Sequence, residues 1–130
     1  MLGRLEQVKS ARVVTSVIVA GELHYGAAIS LRKDENQSAV QHFLRALDLL
    51  PISPAVADEY GRLKAALLDR FGPRERARRR NFDLAALGLA DNDLWIAASA
   101  IERRATLVST DLDFHRIAEV SDLNVEDWTR

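Results

Sequence analysis

Short β-branched runs alternate along this chain with segments of helical periodicity, and that alternation admits few folds. Arg12-Val-Val-Thr-Ser16 reads as a strand, with Thr15 or Ser16 placed to cap the next helix. From residue 17 to about residue 30 the pattern is helical and apolar nearly all round in its first turn. Residues 38–50 carry Val40, Phe43, Leu44, Leu47 and Leu50 at helical spacing, and Pro51 closes that helix. Leu50-Pro-Ile52 predicts a very short strand. Ser53-Pro54 then opens a helix to about Phe71, because proline is tolerated in a first turn, and Gly72-Pro73 breaks it. After a charge-dense connection, Asn92 or Asp93 caps a helix through about Arg103. Thr106-Leu-Val-Ser-Thr110 is the clearest strand, and residues 120–128 supply a last one. Strands alternating with helices imply an α/β fold with a parallel sheet under helical layers. Residues 1–10 read as the end of a helix, where such domains usually begin with a buried strand.

The 130 residues suit one domain spanning 1–130, and 48% apolar with 28% charged residues is ordinary globular composition. Without a cysteine, neither a disulfide framework nor a thiolate metal site is possible. No apolar run approaches the ~20 residues that span a bilayer, and no signal-peptide core is present, so the expectation is a cytoplasmic protein. A net charge of −1 means that any nucleic-acid contact must come from a local basic patch.

The common nucleotide, hydrolase and zincin motifs (GxxxxGK[ST], GxGxxG, GxSxG, HExxH) are absent, and His24, His42 and His115 have no ligand-like spacing. The carboxylates are more informative. Glu22 shares a helical face with Ile18, Tyr25 and Ile29, and reads either as an exposed glutamate at the edge of an apolar stripe or as a metal ligand at a cleft. Asp93 opens a strongly apolar helix, where aspartate serves as an N-cap or faces a site; Asp91 invites the capping reading more strongly. Asp111 and Asp113 directly follow a strand, and the carboxyl ends of strands in open α/β sheets are where ligands bind; a turn or cap pair is the other reading. Together these acids supply oxygen ligands on separate elements, as Mg²⁺ or Mn²⁺ requires. Arg74-Glu-Arg-Ala-Arg-Arg-Arg80 is either a solvated connection or a phosphate-backbone contact for RNA. Trp95 and Trp128 sit in apolar-periodic stretches and read as core anchors.

Val14-Thr-Ser16, Ala20-Gly-Glu-Leu-His-Tyr-Gly26, Asn92-Asp-Leu-Trp-Ile-Ala-Ala98 and Leu107-Val-Ser-Thr-Asp-Leu-Asp-Phe114, in that order, resemble the PIN-domain ribonucleases, most closely the toxin subunit of VapBC-type toxin–antitoxin pairs. The ending Leu123-Asn-Val-Glu-Asp-Trp128 is similar to that family's final strand, and the resemblance runs from about Arg12 onward. It implies a three-layer α/β/α fold around a central parallel sheet, with an acid cluster binding one or two Mg²⁺ (or Mn²⁺) ions. It further implies hydrolysis of RNA phosphodiesters by metal-activated water, a cognate antitoxin partner and a homodimer. By position, Glu22, Asp93 and Asp111 match the family's metal-site acids and Asp113 an accessory acid. Ser16 or Thr15 sits where the family has a supporting hydroxyl, and residues 74–80 fall in the helical region near the substrate groove. The family's opening strand ends in an aspartate, typically within Asp-Thr-Asn, and no aspartate precedes Asp34 here, so the expected fold lacks its first strand. The resemblance leaves two functional expectations: an endoribonuclease toxin, or a catalytically inactive truncated PIN domain that binds a cognate antitoxin as a decoy or regulator.

Overall fold

The structure, a computed structural model, describes residues 14–109 and 111–127. The readings at residues 1–13 and at Trp128 lie outside the described residues. The chain divides into two compact units, Met1–Ile52 and Ser53–Arg130.

In the first unit, β1 (Val14–Ser16) leads directly into α1 (Val17–Ala28), followed by α2 (Lys33–Arg45) and β2 (Asp48–Leu50). The buried Ser16 ends the strand and caps the helix, its hydroxyl oxygen accepting from the Ile18 amide at 3.0 Å. β1 and β2 pair in parallel, Thr15 opposite Leu49, and α1 packs on α2. The second helix differs from expectation at both ends. It starts at Lys33, where Asp34 and Glu35 suit the positive end of the helix, and it stops at Arg45. Leu50, which fitted both that helix and a short strand over residues 50–52, is the buried last residue of β2, which runs two residues earlier than expected. The strand ends there because Pro51 has no N–H to donate to a ladder.

In the second unit, α3 (Pro54–Phe71) begins as the sequence predicts, with Ser53 accepting from the Val56 amide at 3.3 Å. A single helical turn α4 (Arg76–Arg79), a 3₁₀ turn (Leu84–Leu87), α5 (Asp91–Arg103), β3 (Thr106–Val108), α6 (Leu112–Glu119) and β4 (Asn124–Glu126) complete it. β3 and β4 are parallel, Leu107 opposite Val125, so the parallel strands occur as two pairs among the described residues. The core joins Val56, Leu63 and Leu67 of α3 to Leu94, Ile96, Ala97, Ala98 and Ala100 of α5, with Phe114 and Ile117 of α6 closing it. Small residues at 97–100 let the backbones approach, and buried Ser99 satisfies its hydroxyl by donating to the Trp95 carbonyl at 2.9 Å. The sequence offered a turn or a cap pair at Asp111 and Asp113 and named no helix after them; Asp111 caps α6, whose buried Phe114 and Ile117, three apart, pack it on α5.

Trp95 is half-buried and not fully enclosed: its ring stacks on Tyr60 of α3, with centroids 3.9 Å apart and planes 10° off parallel. The Tyr60 hydroxyl donates to Asp91 Oδ1 at 2.5 Å. Burial, and then the Asp91 carboxylate, which accepts that proton and repels a phenolate, push the tyrosine up to about 12. Among the described residues no helix is long and apolar enough to cross a membrane.

Three consequences can be measured. A Cβ at Gly72 would lie 2.7 Å from the Leu68 carbonyl oxygen, so Gly72→Ala should destabilise the fold by about 1–3 kcal/mol in denaturant titration. Arg104 ends α5 in the left-handed region at φ 54°, so Arg104→Gly should raise stability by up to about 1 kcal/mol. Because the folded Tyr60 pKa lies above its unfolded value of 10.0, its contribution is complete below pH 10 and is lost as pH rises through 12. Phenolate absorbance should show a step near pH 12 that Tyr60→Phe removes and Asp91→Asn moves down; a step that survives Tyr60→Phe would contradict the assignment.

Candidate metal centre

The N-terminal turn of α5 carries the first acid. Ala90 occupies the N-cap position and contributes no side-chain bond, which corrects the expectation that Asn92 or Asp93 caps this helix. Asp91 is the first helical residue and is engaged by Tyr60. Asp93, two residues on, lies within the first turn, half-buried, where the positive end of the helix favours a carboxylate.

The other two acids sit where β3 passes into α6. The Ser109 amide donates to the Glu126 carbonyl at 3.0 Å, continuing the pairing with β4 past the last strand residue. The Ser109 hydroxyl then accepts from the Asp111 amide at 3.0 Å and turns the chain. Asp111 caps α6, with its Oδ1 accepting from the Asp113 amide at 2.9 Å. Asp113 is half-buried in the first turn of α6, 3.7 Å from the guanidinium of Arg116. Arg116 in turn donates to the Leu87 carbonyl at 2.6 Å and lies over the Phe71 ring, which ties α6 to the 3₁₀ turn and to the end of α3.

These elements bring Asp93, Asp111 and Asp113 together: one carboxylate oxygen from each lies within 4.8 Å of the others. Three acids this close repel one another unless a cation or helix dipoles offset the charge, and Asp93 and Asp111–Asp113 stand at the starts of two helices. The donors are all hard oxygens. Mutual distances within 4.8 Å leave room for a Mg²⁺ ion with bonds of about 2.1 Å, whose ligand oxygens stand ~3.0 Å (adjacent) to ~4.2 Å (opposite) apart. The residues present therefore fit a small divalent cation held by carboxylates.

Of the four acids singled out by the sequence, three converge within the second unit, and Glu22 is an exposed residue of α1 in the first. The half of its helical face made by Tyr25 and Ile29 is also exposed. The Ser16 oxygen serves as a helix cap, and Thr15 lies half-buried in β1. His24, His42 and His115 are exposed, and among the described residues no histidine joins the acid cluster. Arg116 was missed by sequence reasoning although it follows Asp113 at helical spacing. Tyr60 could not have been found that way, because its partner is 31 residues away.

Comparison with known proteins agrees with this architecture. Residues 2–120 match the PIN domain family. The chain is 32% identical over 123 residues to Ribonuclease VapC2 of Rickettsia felis, a match that covers 94% of this chain and 78% of that protein. Among solved structures it is similar to VapBC2 from Rickettsia felis bound to a DNA fragment from the promoter, with a TM-score of 0.75 and 30% identity over 98% of this chain and 83% of that one. It is also similar to DNA-bound VapBC from Salmonella typhimurium, with a TM-score of 0.75 and 27% identity over 97% of this chain and 82% of that one. The parallel strand pairs, the acids gathered at the starts of α5 and α6, and a match over nearly the whole length lead to one conclusion: this chain belongs to the PIN domain family.

Proposed function

We propose that this chain is the toxin of a toxin–antitoxin pair, a metal-dependent endoribonuclease acting in the cytoplasm on RNA phosphodiesters. The observation that carries the reading is the convergence of Asp93, Asp111 and Asp113 in a chain similar to ribonucleases named VapC. The family match spans both compact units, which supports one functional domain over residues 1–130.

In this reading Asp93, Asp111 and Asp113 hold Mg²⁺ or Mn²⁺, and Glu22 contributes a fourth carboxylate by its position in the family pattern. When bound, the cation supplies a water of lowered pKa and positive charge beside the phosphoryl oxygens. The protein's own part is positional. Asp111 is fixed by its capping bond, and Asp113 is held by Arg116 through an anchor on the Leu87 carbonyl. Asp93 is carried by a helix whose following turn is buried. Such rigidity places the carboxylates before substrate arrives, so little reorganisation is needed during reaction.

A cognate antitoxin is the proposed partner, because the similar solved structures are toxin–antitoxin complexes. The first unit also presents Tyr25, Ile29, Leu31 and Phe43 to solvent, an apolar surface of the kind that protein partners cover. A homodimer is proposed as the toxin's own assembly.

Cleavage of a labelled RNA should fall at least about 100-fold in Asp93→Asn and in Asp111→Asn, with far-ultraviolet circular dichroism unchanged. Chelation should abolish the activity, and added Mg²⁺ or Mn²⁺ should restore it. Undiminished cleavage by both variants would end this reading. Tight antitoxin binding by the unmodified chain without metal-dependent cleavage would replace it with the inactive, partner-binding one.

A further inference from the structure

Arg116 reaches three groups, and their distances rank them. Its guanidinium donates to the Leu87 carbonyl at 2.6 Å, lies 5.2 Å from the centroid of the Phe71 ring, and stands 3.7 Å from Asp113 Oδ1. The carbonyl bond is short and charge-assisted. A separation of 3.7 Å lies beyond hydrogen-bond reach, so Asp113 has a charge contact alone, between side chains that are each 33% exposed. The guanidinium is therefore committed to the 3₁₀ turn and to the end of α3, with Asp113 as a neighbour and not as its anchor.

The turn that receives it is shaped by a glycine. Gly88 follows Leu87 at φ 78°, in the left-handed region that glycine enters without strain, and its amide closes the turn by donating to the Ala85 carbonyl at 3.0 Å. From there the buried Leu89 and the N-cap Ala90 lead straight into α5, with Asp93 in its first turn. On the other side of the contact, Arg116 shares α6 with Asp113, and Asp111 caps that helix. One guanidinium thus joins the connection entering α5 to α6, and the three acids stand at the starts of the two helices it joins.

We propose that Arg116 is the positioning residue of the metal centre: seated on the Leu87 carbonyl, it holds the start of α6 against the start of α5 and keeps Asp93 within cation-binding distance of Asp111 and Asp113. The proposal rests on the metal-dependent reading and adds to it what sets the spacing of the acids. Three carboxylates whose oxygens lie within 4.8 Å of one another repel, and two helices free to part would relieve that repulsion. Arginine suits the tie. Its planar fork directs a donor at a carbonyl while its face rests on an aromatic ring, and it stays charged wherever the carboxylates are ionised. A lysine ammonium is a point charge without that fork.

The test is Mn²⁺ binding by the full chain, read from the electron paramagnetic resonance signal of the free ion at a temperature well below every variant's melt. Arg116→Ala should bind Mn²⁺ about 10–100-fold more weakly, the usual result of removing a group that orients metal ligands. Gly88→Ala keeps every acid and Arg116 but strains the turn that presents the Leu87 carbonyl, and should weaken Mn²⁺ by at least about 3-fold. The double variant should lose no more than about 2-fold beyond Arg116→Ala, because both changes act on one tie. Arg116→Lys should stay at least about 3-fold below the parent. A merely structural role makes affinity follow stability instead. Ile117→Val, which trims the fully buried neighbour on α6, should therefore lower the melt yet leave Mn²⁺ affinity within about 2-fold. Should Arg116→Ala not fold, Gly88→Ala and Arg116→Lys measured against Ile117→Val decide the matter. Parent-level affinity in Arg116→Ala or Arg116→Lys would overturn the proposal, as would additive losses in the double variant or an equal loss in Ile117→Val. Weakened Mn²⁺ binding in Asp93→Asn with none lost in Arg116→Ala sinks the proposal alone. No Mn²⁺ uptake by the parent, or parent-level uptake and cleavage by Asp93→Asn, ends the metal-dependent reading and the proposal with it.

Discussion

The second unit depends on the close approach of α3 and α5. Residues 97–100 of α5 are Ala, Ala, Ser and Ala, all buried, so nothing large holds the two helices apart, and Leu63 and Leu67 of α3 fill the remaining space. Interiors packed this densely tolerate little displacement, and a helix held along its length cannot easily tilt at its end. The N-terminal turn of α5, with Asp93 on it, inherits that fixity. The Tyr60–Trp95 stack and the Tyr60–Asp91 hydrogen bond pin the same turn from the α3 side.

Charge in this unit is arranged by which groups receive partners and which are left to face a ligand. Asp91 is satisfied by a tyrosine, Asp69 by Arg79, and Asp113 lies near Arg116. The acid cluster gathers three carboxylates at the starts of two helices, where the orphan amide groups and the aligned peptide dipoles favour negative charge. Opposite in sign, the exposed Arg76 and Arg80 border a cavity between α4 and α3, while Lys64 lies over the Tyr60 ring, 5.7 Å from its centroid.

Arg79, Arg76 and Arg80 also show why composition is a poor guide to role. All three belong to one short basic run, and the run alone supports a solvated connection and a phosphate contact equally well. Arg79 is committed to backbone carbonyls and a carboxylate, the way a planar guanidinium best replaces water. Its neighbours, one and three residues away, point at a cavity. Only the direction of the α4 turn separates them.

The sequence by itself determined the local elements and their order. Ser16 and Ser53 were readable as caps, Gly72-Pro73 as a break, and α3 and α5 as long apolar-periodic helices, because capping and helical periodicity act between residues a few positions apart. The resemblance carried by four ordered motifs named Glu22, Asp93, Asp111 and Asp113 as acids of one site, and of these Asp93, Asp111 and Asp113 lie together among the described residues. Where local signals competed, the sequence left the choice open: Leu50 fitted both a helical spacing and a short strand and ends a strand, and of the turn and cap readings after β3 it is the cap, Asp111, that opens α6. What only the tertiary structure decided are the meetings of distant residues. Tyr60 with Asp91, Arg116 with the Leu87 carbonyl, Arg79 with Asp69, and the three carboxylate oxygens with one another all depend on how α3, α5 and α6 pack. No periodicity in the chain encodes those contacts, because they arise from the fit of whole helix faces, a property that belongs to many residues at once.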